Sequence, residues 1–246
     1  WIWDEYAPGD TYLLIADVAR GDGADNSAFA VFNVSRGMRQ DAEYQGKITP
    51  DLFANLLNEV GREYGDCLLA VEYNSGQAVT DKLIEAEYPN LYWATKGTHE
   101  YVEAYLAVTM SNTLPGFTTS RMTRPLIIGK FEEFVRNELI TVRSARLIKE
   151  LETFIWNNGR PEAMRGYNDD LVLVCSIGSF IADTALEIGK KDLEYRRAFL
   201  DMGGIVRVGS TLDTTIPGMR GFDPRTNKLA SSLDVNQQAY KWLYKG

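Results

Sequence analysis

The sequence predicts an α/β protein, a mixed sheet in which three antiparallel strands come first and parallel strands follow, with helices on its flanks. Three observations carry that expectation. Two apolar runs rich in β-formers, Tyr12–Ala19 and Ala28–Ser35, are joined by Gly21-Asp-Gly-Ala-Asp-Asn26, which is turn chemistry. Later apolar runs, Asp66–Tyr73 and Leu91–Thr95, alternate with helical patterns, as crossover connections between parallel strands require. Leu171–Leu186 is the most apolar helical pattern in the chain.

In chain order, Tyr12–Ala19 and Ala28–Ser35 read as a hairpin. Met38–Ile48 alternates less cleanly and reads as an outer strand with one wet face. Thr49-Pro50-Asp51 then opens a helix, with a Thr cap, Pro at the first helical position and an acid in the first turn. Leu52, Phe53, Leu56, Leu57 and Val60 recur on its apolar face, and Gly65 ends it. Asp66–Tyr73 is the next strand, Gln77–Glu87 the next helix, and Leu91–Thr95 a fifth strand. Residues 97–123, rich in Thr, Ser, Gly and Tyr, read as a surface excursion containing a hairpin. Helices follow over Pro125–Asn137 and Ser144–Trp156, the second with Leu147, Ile148, Leu151, Phe154 and Ile155 on one stripe. Asn157-Asn158-Gly159-Arg160-Pro161 breaks the pattern, and Asn168-Asp169-Asp170 introduces the last helix. Beyond Gly189 the chain reads as a loosely ordered tail.

The 246 residues allow one large domain or two small ones, and a composition 45% hydrophobic and 24% charged makes a folded soluble protein the default. The expected division is a linker remnant over 1–10, a domain over 11–188 and an extension over 189–246. No run reads as a membrane span, and Trp1-Ile-Trp-Asp4-Glu5 is not a signal peptide, so the expected location is the cytoplasm. Cys67 and Cys175 lie in apolar runs and read as reduced, buried thiols.

The net charge of −8 argues at first against a nucleic-acid partner, but its distribution matters more than its sum. Residues 1–100 carry 17 acidic and 7 basic groups, whereas residues 101–165 carry 7 and 9. Arg121, Arg124, Lys130, Arg136, Arg143, Arg146, Lys149, Arg160 and Arg165 could meet phosphates if they share a face. The competing reading is a solvated helix surface with pairs such as Arg146 to Glu150.

Three places join a carboxylate to an element that should be buried. Asp17 ends the first apolar run, Glu72 stands at the same relative place in Cys67-Leu-Leu-Ala-Val-Glu-Tyr-Asn74, and Asp169 and Asp170 open the most apolar helix. A buried ionised carboxylate is costly unless something offsets it, and one shared divalent cation is the economical partner. Mg²⁺ and Mn²⁺ prefer oxygen ligands, and two ions about 3.5–4 Å apart suit phosphodiester cleavage. Each acid also has a plainer explanation: Asp17 as a turn cap, Glu72 as a surface charge at a strand end, and Asp169 and Asp170 as helix caps.

The strand and helix order, with acids on the first strand, the fourth strand and a late helix, resembles the ribonuclease H and RuvC-resolvase nuclease fold. More closely, Leu14-Ile-Ala-Asp17-Val-Ala-Arg-Gly-Asp-Gly-Ala-Asp-Asn-Ser27, Ala70-Val-Glu72-Tyr-Asn74 and Tyr167-Asn-Asp169-Asp-Leu-Val172 resemble the nuclease motifs of the large terminase subunit of T-even bacteriophages and their relatives. The resemblance implies a ribonuclease H-like, metal-dependent endonuclease that cuts concatemeric viral DNA at the start and end of genome packaging. Asp17, Glu72 and Asp169 would be catalytic acids holding Mg²⁺, with Mn²⁺ able to substitute and two ions acting together. Asp170 would be a fourth ligand or a cap; which of the Asp169/Asp170 pair is primary stays open. Arg20, Arg121, Arg124, Lys130, Arg143 and Arg146 would hold double-stranded DNA by its phosphates, which implies weak sequence preference and strong salt sensitivity.

The implied partners are an N-terminal ATPase motor in the full protein, the phage portal and the small terminase subunit, all in the host cell cytoplasm and none of them a membrane. No G-x-x-x-x-G-K-[ST] loop occurs, and Gly129-Lys130-Phe131 lacks both the upstream glycine and the hydroxyl residue, so this chain is not expected to hydrolyse ATP. His99 reads as a surface residue. The rivals are a junction resolvase, transposase or ribonuclease H within the fold, a module holding Ca²⁺ in the Gly21–Asn26 loop, and a docking module for the motor or portal.

Overall fold

Five apolar residues in a row before Asp17 form a strand that can be stable only with both faces covered, and β1 (Tyr12–Asp17) has that position. In the computed structural model it pairs antiparallel with β2 (Ser27–Asn33), which pairs antiparallel with β3 (Arg39–Gly46). The structure describes residues 1–19, 26–97, 100–107, 109–157 and 159–202, with 205–208, 211–214, 222–223 and 228–229. Of the loop joining β1 to β2, Val18, Ala19 and Asn26 are among the described residues. Helix α1 (Pro50–Glu63) crosses over to β4 (Leu68–Val71), which lies parallel to β1, giving the order β3-β2-β1-β4. The fold is therefore α/β with a mixed sheet and flanking helices.

Helix α2 (Tyr73–Glu85) follows β4 directly, then β5 (Trp93–Thr95), β6 (Tyr101–Val102), α3 (Ala104–Ala107) and β7 (Thr113–Pro115). The expected fifth strand reaches the main sheet only by a parallel bridge from Leu91 to Leu69; β5 itself centres a small sheet of order β6-β5-β7. Residues 97–123 thus supply two of its three strands. Helices α4 (Thr123–Arg136) and α5 (Ala145–Glu152) come next, then a hairpin of β8 (Phe154–Asn157) and β9 (Arg160–Ala163), and finally α6 (Asp170–Met202).

The sheet divides the core in two. Leu13, Ile15, Ala30 and Phe32 point to one side, packing with α4, α5 and the start of α6. Tyr12, Leu14, Ala16, Phe29 and Val31 point to the other, against α1 and α2. That alternation is the period-two geometry of a strand buried on both faces. Gly178 lets α6 lie close to the sheet, because a Cβ there would meet Phe32 at 3.2 Å and Ile15 at 3.4 Å.

Several expectations are corrected. Leu52 is exposed on α1: the buried positions are Phe53, Ala54, Leu57 and Gly61, with Leu56 and Val60 partly buried against the same core, so the apolar face begins one residue later than expected. The wet face predicted for the outer strand is dry where β3 begins: Gln40, Asp41 and Glu43 are buried. Residues at the N-terminus add to that edge, with Trp3 N donating to Asp41 O at 2.8 Å and Glu43 N to Trp1 O at 2.9 Å. The helix expected over Ser144–Trp156 stops at Glu152, and Phe154, Ile155 and Trp156 turn into β8, whose partner strand satisfies their backbone.

α6 also corrects the membrane reading: Asp170–Lys191 is long and apolar enough to cross a bilayer, with a mean hydropathy of 1.8. Its first turns are instead the core helix of the sheet, with Leu171, Val174, Cys175 and Ile177 fully buried. Both cysteines are free and buried, as expected. The chain divides into two compact units, 1–189 and 190–246. Beyond Met202 the described residues of the second unit form two hairpins, β10 (Ile205–Val208) with β11 (Thr211–Thr214) and β12 (Phe222–Asp223) with β13 (Lys228–Leu229), where a loose tail was expected.

Candidate active site

Strand alternation places the first two acids. Asp17 follows Leu13 and Ile15 onto the α6 side of the sheet, and Glu72 follows Leu68 and Ala70 onto the same side. The parallel register pairs Ala16 with Val71, so one step further sets Asp17 beside Glu72 at the carboxyl ends of adjacent strands. Glu72 N donates to Ala16 O at 2.8 Å, which extends the ladder to that point.

Glu72 is 3% exposed, so it is not a surface charge at a strand end. It is the N-cap of α2: its Oε2 accepts from Ser75 N at 3.2 Å, while Thr119 Oγ1 donates to Oε1. This cap is why α2 starts at Tyr73, four residues before the expected Gln77. Asn74 Nδ2 donates to Thr119 O at 2.6 Å and to Thr119 Oγ1 at 2.9 Å, holding the hydroxyl in place. Gly116 brings the β7–α4 loop near enough: its φ is +101°, and a Cβ would stand 2.4 Å from Val71 O.

Asp169 and Asp170 arrive from the opposite direction, at the N-terminus of α6. Leu173 N donates to Asp169 O, so Asp169 opens the helix through its backbone. Its side chain does not cap. Oδ2 receives Arg124 Nη2 and, at 3.3 Å, Ala163 N. Glu150 of α5 does the capping instead, its Oε2 accepting from Leu171 N at 2.9 Å and Val172 N at 3.1 Å. Burial pushes the Glu150 carboxyl up to about 7, against the opposing effect of the Val172 and Gln45 hydrogen bonds.

The four acids line one cavity of about 250 Å³, together with Asn26, Asn74, Ser75, Thr119 and Arg124. Burial, and then the charges of Glu72, Asp170 and Asp169, push the Asp17 carboxyl well above the usual carboxylate range, while Arg124 pulls the other way. Four carboxyl groups therefore converge, with Arg124 as the one basic side chain among the described lining residues. The donors are all oxygen, which suits a hard divalent cation and not a thiolate or imidazole metal. Among the described residues no group of three His, Cys, Asp or Glu stands ready-made around a metal position, and the Arg124 guanidinium on Asp169 is the visible competitor.

The large terminase nuclease of thermophilic phage G20c, with magnesium bound, is similar to this chain at a TM-score of 0.55 and 16% identity, covering 72% of this chain and 85% of that one. The nuclease domain of the Thermus phage P74-26 large terminase gives 0.52 and 16%, covering 72% and 82%. The fold is that of the large terminase nucleases. The G20c nuclease has also been solved with cobalt, at a TM-score of 0.54 and 16% identity, covering 72% and 85%. No protein-family model and no curated sequence matches the chain.

On this terminase-nuclease fold the basic side chains separate into two groups. Arg121, Arg124 and Arg160 line a second cavity, of about 390 Å³, which shares Thr119 and Arg124 with the first. Lys130 pairs with Glu133 and lies over the Phe134 ring, Arg136 pairs with Glu132, and Arg143 pairs with Asp4. Arg146 pairs with Glu43 at 2.8 Å, not with Glu150, and so ties α5 to β3. Arg20 and His99 lie outside the described residues. Thr119, Asn26, Asn74, Gln45 and Glu150 are the site's neighbours that sequence reasoning did not single out. Asn26 and Asn74 stood inside the quoted motifs, whereas nothing in the Thr- and Ser-rich stretch marked Thr119.

Proposed function

We propose that this chain is the nuclease domain of a phage large terminase of the T-even-like kind, a Mg²⁺-dependent endodeoxyribonuclease that cuts concatemeric viral DNA when packaging begins and ends. The observation that carries this is the convergence of Asp17, Glu72, Asp169 and Asp170 on one cavity beside an arginine-lined one. The similarity to terminase nucleases solved with magnesium and cobalt supports it.

Asp17, Glu72 and one or both of Asp169 and Asp170 would hold two divalent cations, Mg²⁺ or in its place Mn²⁺. Such ions, when bound, supply activation of a water and neutralisation of the departing 3′ oxygen. The chain's own groups prepare for that. Ser75 N and Thr119 Oγ1 fix both oxygens of Glu72, so one rotamer faces the cavity. Glu150 relieves Asp169 of capping. Arg124 neutralises Asp169 and spans the two cavities, placing a cation where a backbone phosphate would lie, with Arg121 and Arg160 behind it. No histidine is needed as a base. In the full protein the domain would work with an N-terminal ATPase motor, the portal and the small terminase subunit, in the host cytoplasm.

The test is cleavage of supercoiled plasmid by the purified chain with Mg²⁺ or Mn²⁺, with and without EDTA. We expect nicking and linearisation that EDTA stops and that Asp17→Asn reduces at least a hundredfold. Cleavage that persists in EDTA, or that Asp17→Asn leaves intact, sinks the proposal.

A further inference from the structure

Glu150 is 8% exposed and belongs to none of the motifs, yet it touches the site through two arms. One oxygen, Oε2, takes the first free amides of α6, Leu171 N and Val172 N. The other, Oε1, accepts from Gln45 Nε2 at 2.6 Å, and the same nitrogen reaches Asp170 Oδ2 at 3.4 Å. An amide nitrogen carries two hydrogens, so it serves both carboxylates at once. The sheet places Gln45 for this: the register runs Gln45 to Ala28 to Asp17, a row on one face in which only the alanine is small. Arg146 holds α5 against β3, since it bonds Glu43 and, at 3.2 Å, the Gln45 carbonyl while sitting one helical turn before Glu150.

Helix-opening aspartates ordinarily spend a carboxylate oxygen on their own N2 and N3 amides. Here an acid from another helix takes those amides. We infer that Glu150 is a positioning residue for the proposed metal site: it caps α6 from outside in place of Asp169, and through Gln45 it orients the Asp170 carboxylate toward the cavity. The inference rests on the metal-nuclease reading for its consequence, but not for its geometry.

Glu150→Gln separates the two arms. The new side chain keeps a carbonyl for Leu171 and Val172, but its NH₂ now faces Gln45, whose amide must turn its carbonyl that way and so present oxygen to Asp170. The Glu150→Gln chain is expected to melt no lower than the wild type at pH 7.5 and to keep slow amide exchange at Leu171 and Val172. It should bind Mn²⁺, titrated by electron paramagnetic resonance, about tenfold more weakly, within the range for a partner behind a metal ligand. Its crystal structure should show the Asp170 carboxylate turned. Gln45→Leu should reproduce the weaker Mn²⁺ binding and the turned Asp170 with the cap untouched. Unchanged Mn²⁺ affinity and an unmoved Asp170 in both variants overturn the inference. If the wild type takes up no Mn²⁺, or Asp17→Asn takes it up as well as the wild type, the metal reading falls. The Asp170 rotamer in the two variants then decides on Glu150 by itself, turned in support and unmoved against.

Discussion

Glu150 gives the structure a pH dependence whose sign and size can be worked out. Its carboxyl is pushed up to about 7 from 4.5, with burial as the largest cause. The folded chain therefore holds a proton there that the unfolded chain has already released between those two values. Stability is fully present below about 4.5 and falls as pH rises toward 7, levelling off above it. A shift of about 2.5 units at about 1.4 kcal/mol each corresponds to roughly 3 kcal/mol. Glu150→Gln removes the titration and keeps a carbonyl for the α6 amides, so the pH dependence of the difference between the two chains isolates it. Urea unfolding in EDTA at pH 4.5, 5.5, 6.5 and 7.5 is the assay. The two chains should be nearly equal at pH 4.5, and the variant should be about 2–3 kcal/mol more stable at pH 7.5. In a unit of this size that corresponds to roughly 5–10 °C in melting temperature. A stability difference that stays flat across the range, or that widens toward low pH, would show that the Glu150 carboxyl is not shifted upward in the folded chain.

Two further substitutions probe the framework of the site. Gly116→Ala puts a Cβ 2.4 Å from Val71 O at a φ of +101°, so it should cost about 2 kcal/mol or more in urea unfolding and displace Thr119 from Glu72 in a crystal structure; an unchanged midpoint counts against the close approach. Arg124→Gln removes the guanidinium that competes for Asp169, so Mn²⁺ affinity should rise by several-fold while plasmid binding weakens and the slope of its salt dependence falls by about 1. Mn²⁺ affinity that falls instead would show that Arg124 supports the ligands and does not compete with them.

Much of the sheet could be read in advance because β1 and β2 carry their fate locally: unbroken apolar runs flanked by turn residues leave few alternatives to a buried hairpin. Asp17 was legible for the same reason, being the one charge on a strand with no wet face. Glu72 was legible as an acid at the end of a buried strand, but its capping role was hidden. A capping acid shows in sequence only when the helix start is known, and Tyr73-Asn-Ser-Gly76 looks more like a turn than a first turn of helix.

The Ser144–Trp156 stretch misled because Leu147, Leu151, Phe154 and Ile155 keep helical spacing. The chain nevertheless leaves the helix after Glu152, and the β9 strand that satisfies Ile155 lies beyond the turn. The basic residues were the least legible. Arg143 and Arg146 look like phosphate contacts in sequence, but their partners Asp4 and Glu43 are more than a hundred residues away. Glu150 and Gln45, likewise 105 residues apart, meet only through the packing of α5 on the sheet edge.

The cavity lined by Asp17, Glu72, Asp169 and Asp170 is the proposed divalent-cation site. Crystals of the chain soaked in Mn²⁺ test it most directly, through the anomalous signal of the metal. Anomalous peaks are expected inside that cavity, in contact with the Asp17 and Glu72 carboxylates, with Arg124 displaced from Asp169, and they should be lost in Asp17→Asn. Peaks confined to other places, or a cavity with no anomalous signal under conditions in which the same protein cleaves DNA, would contradict it.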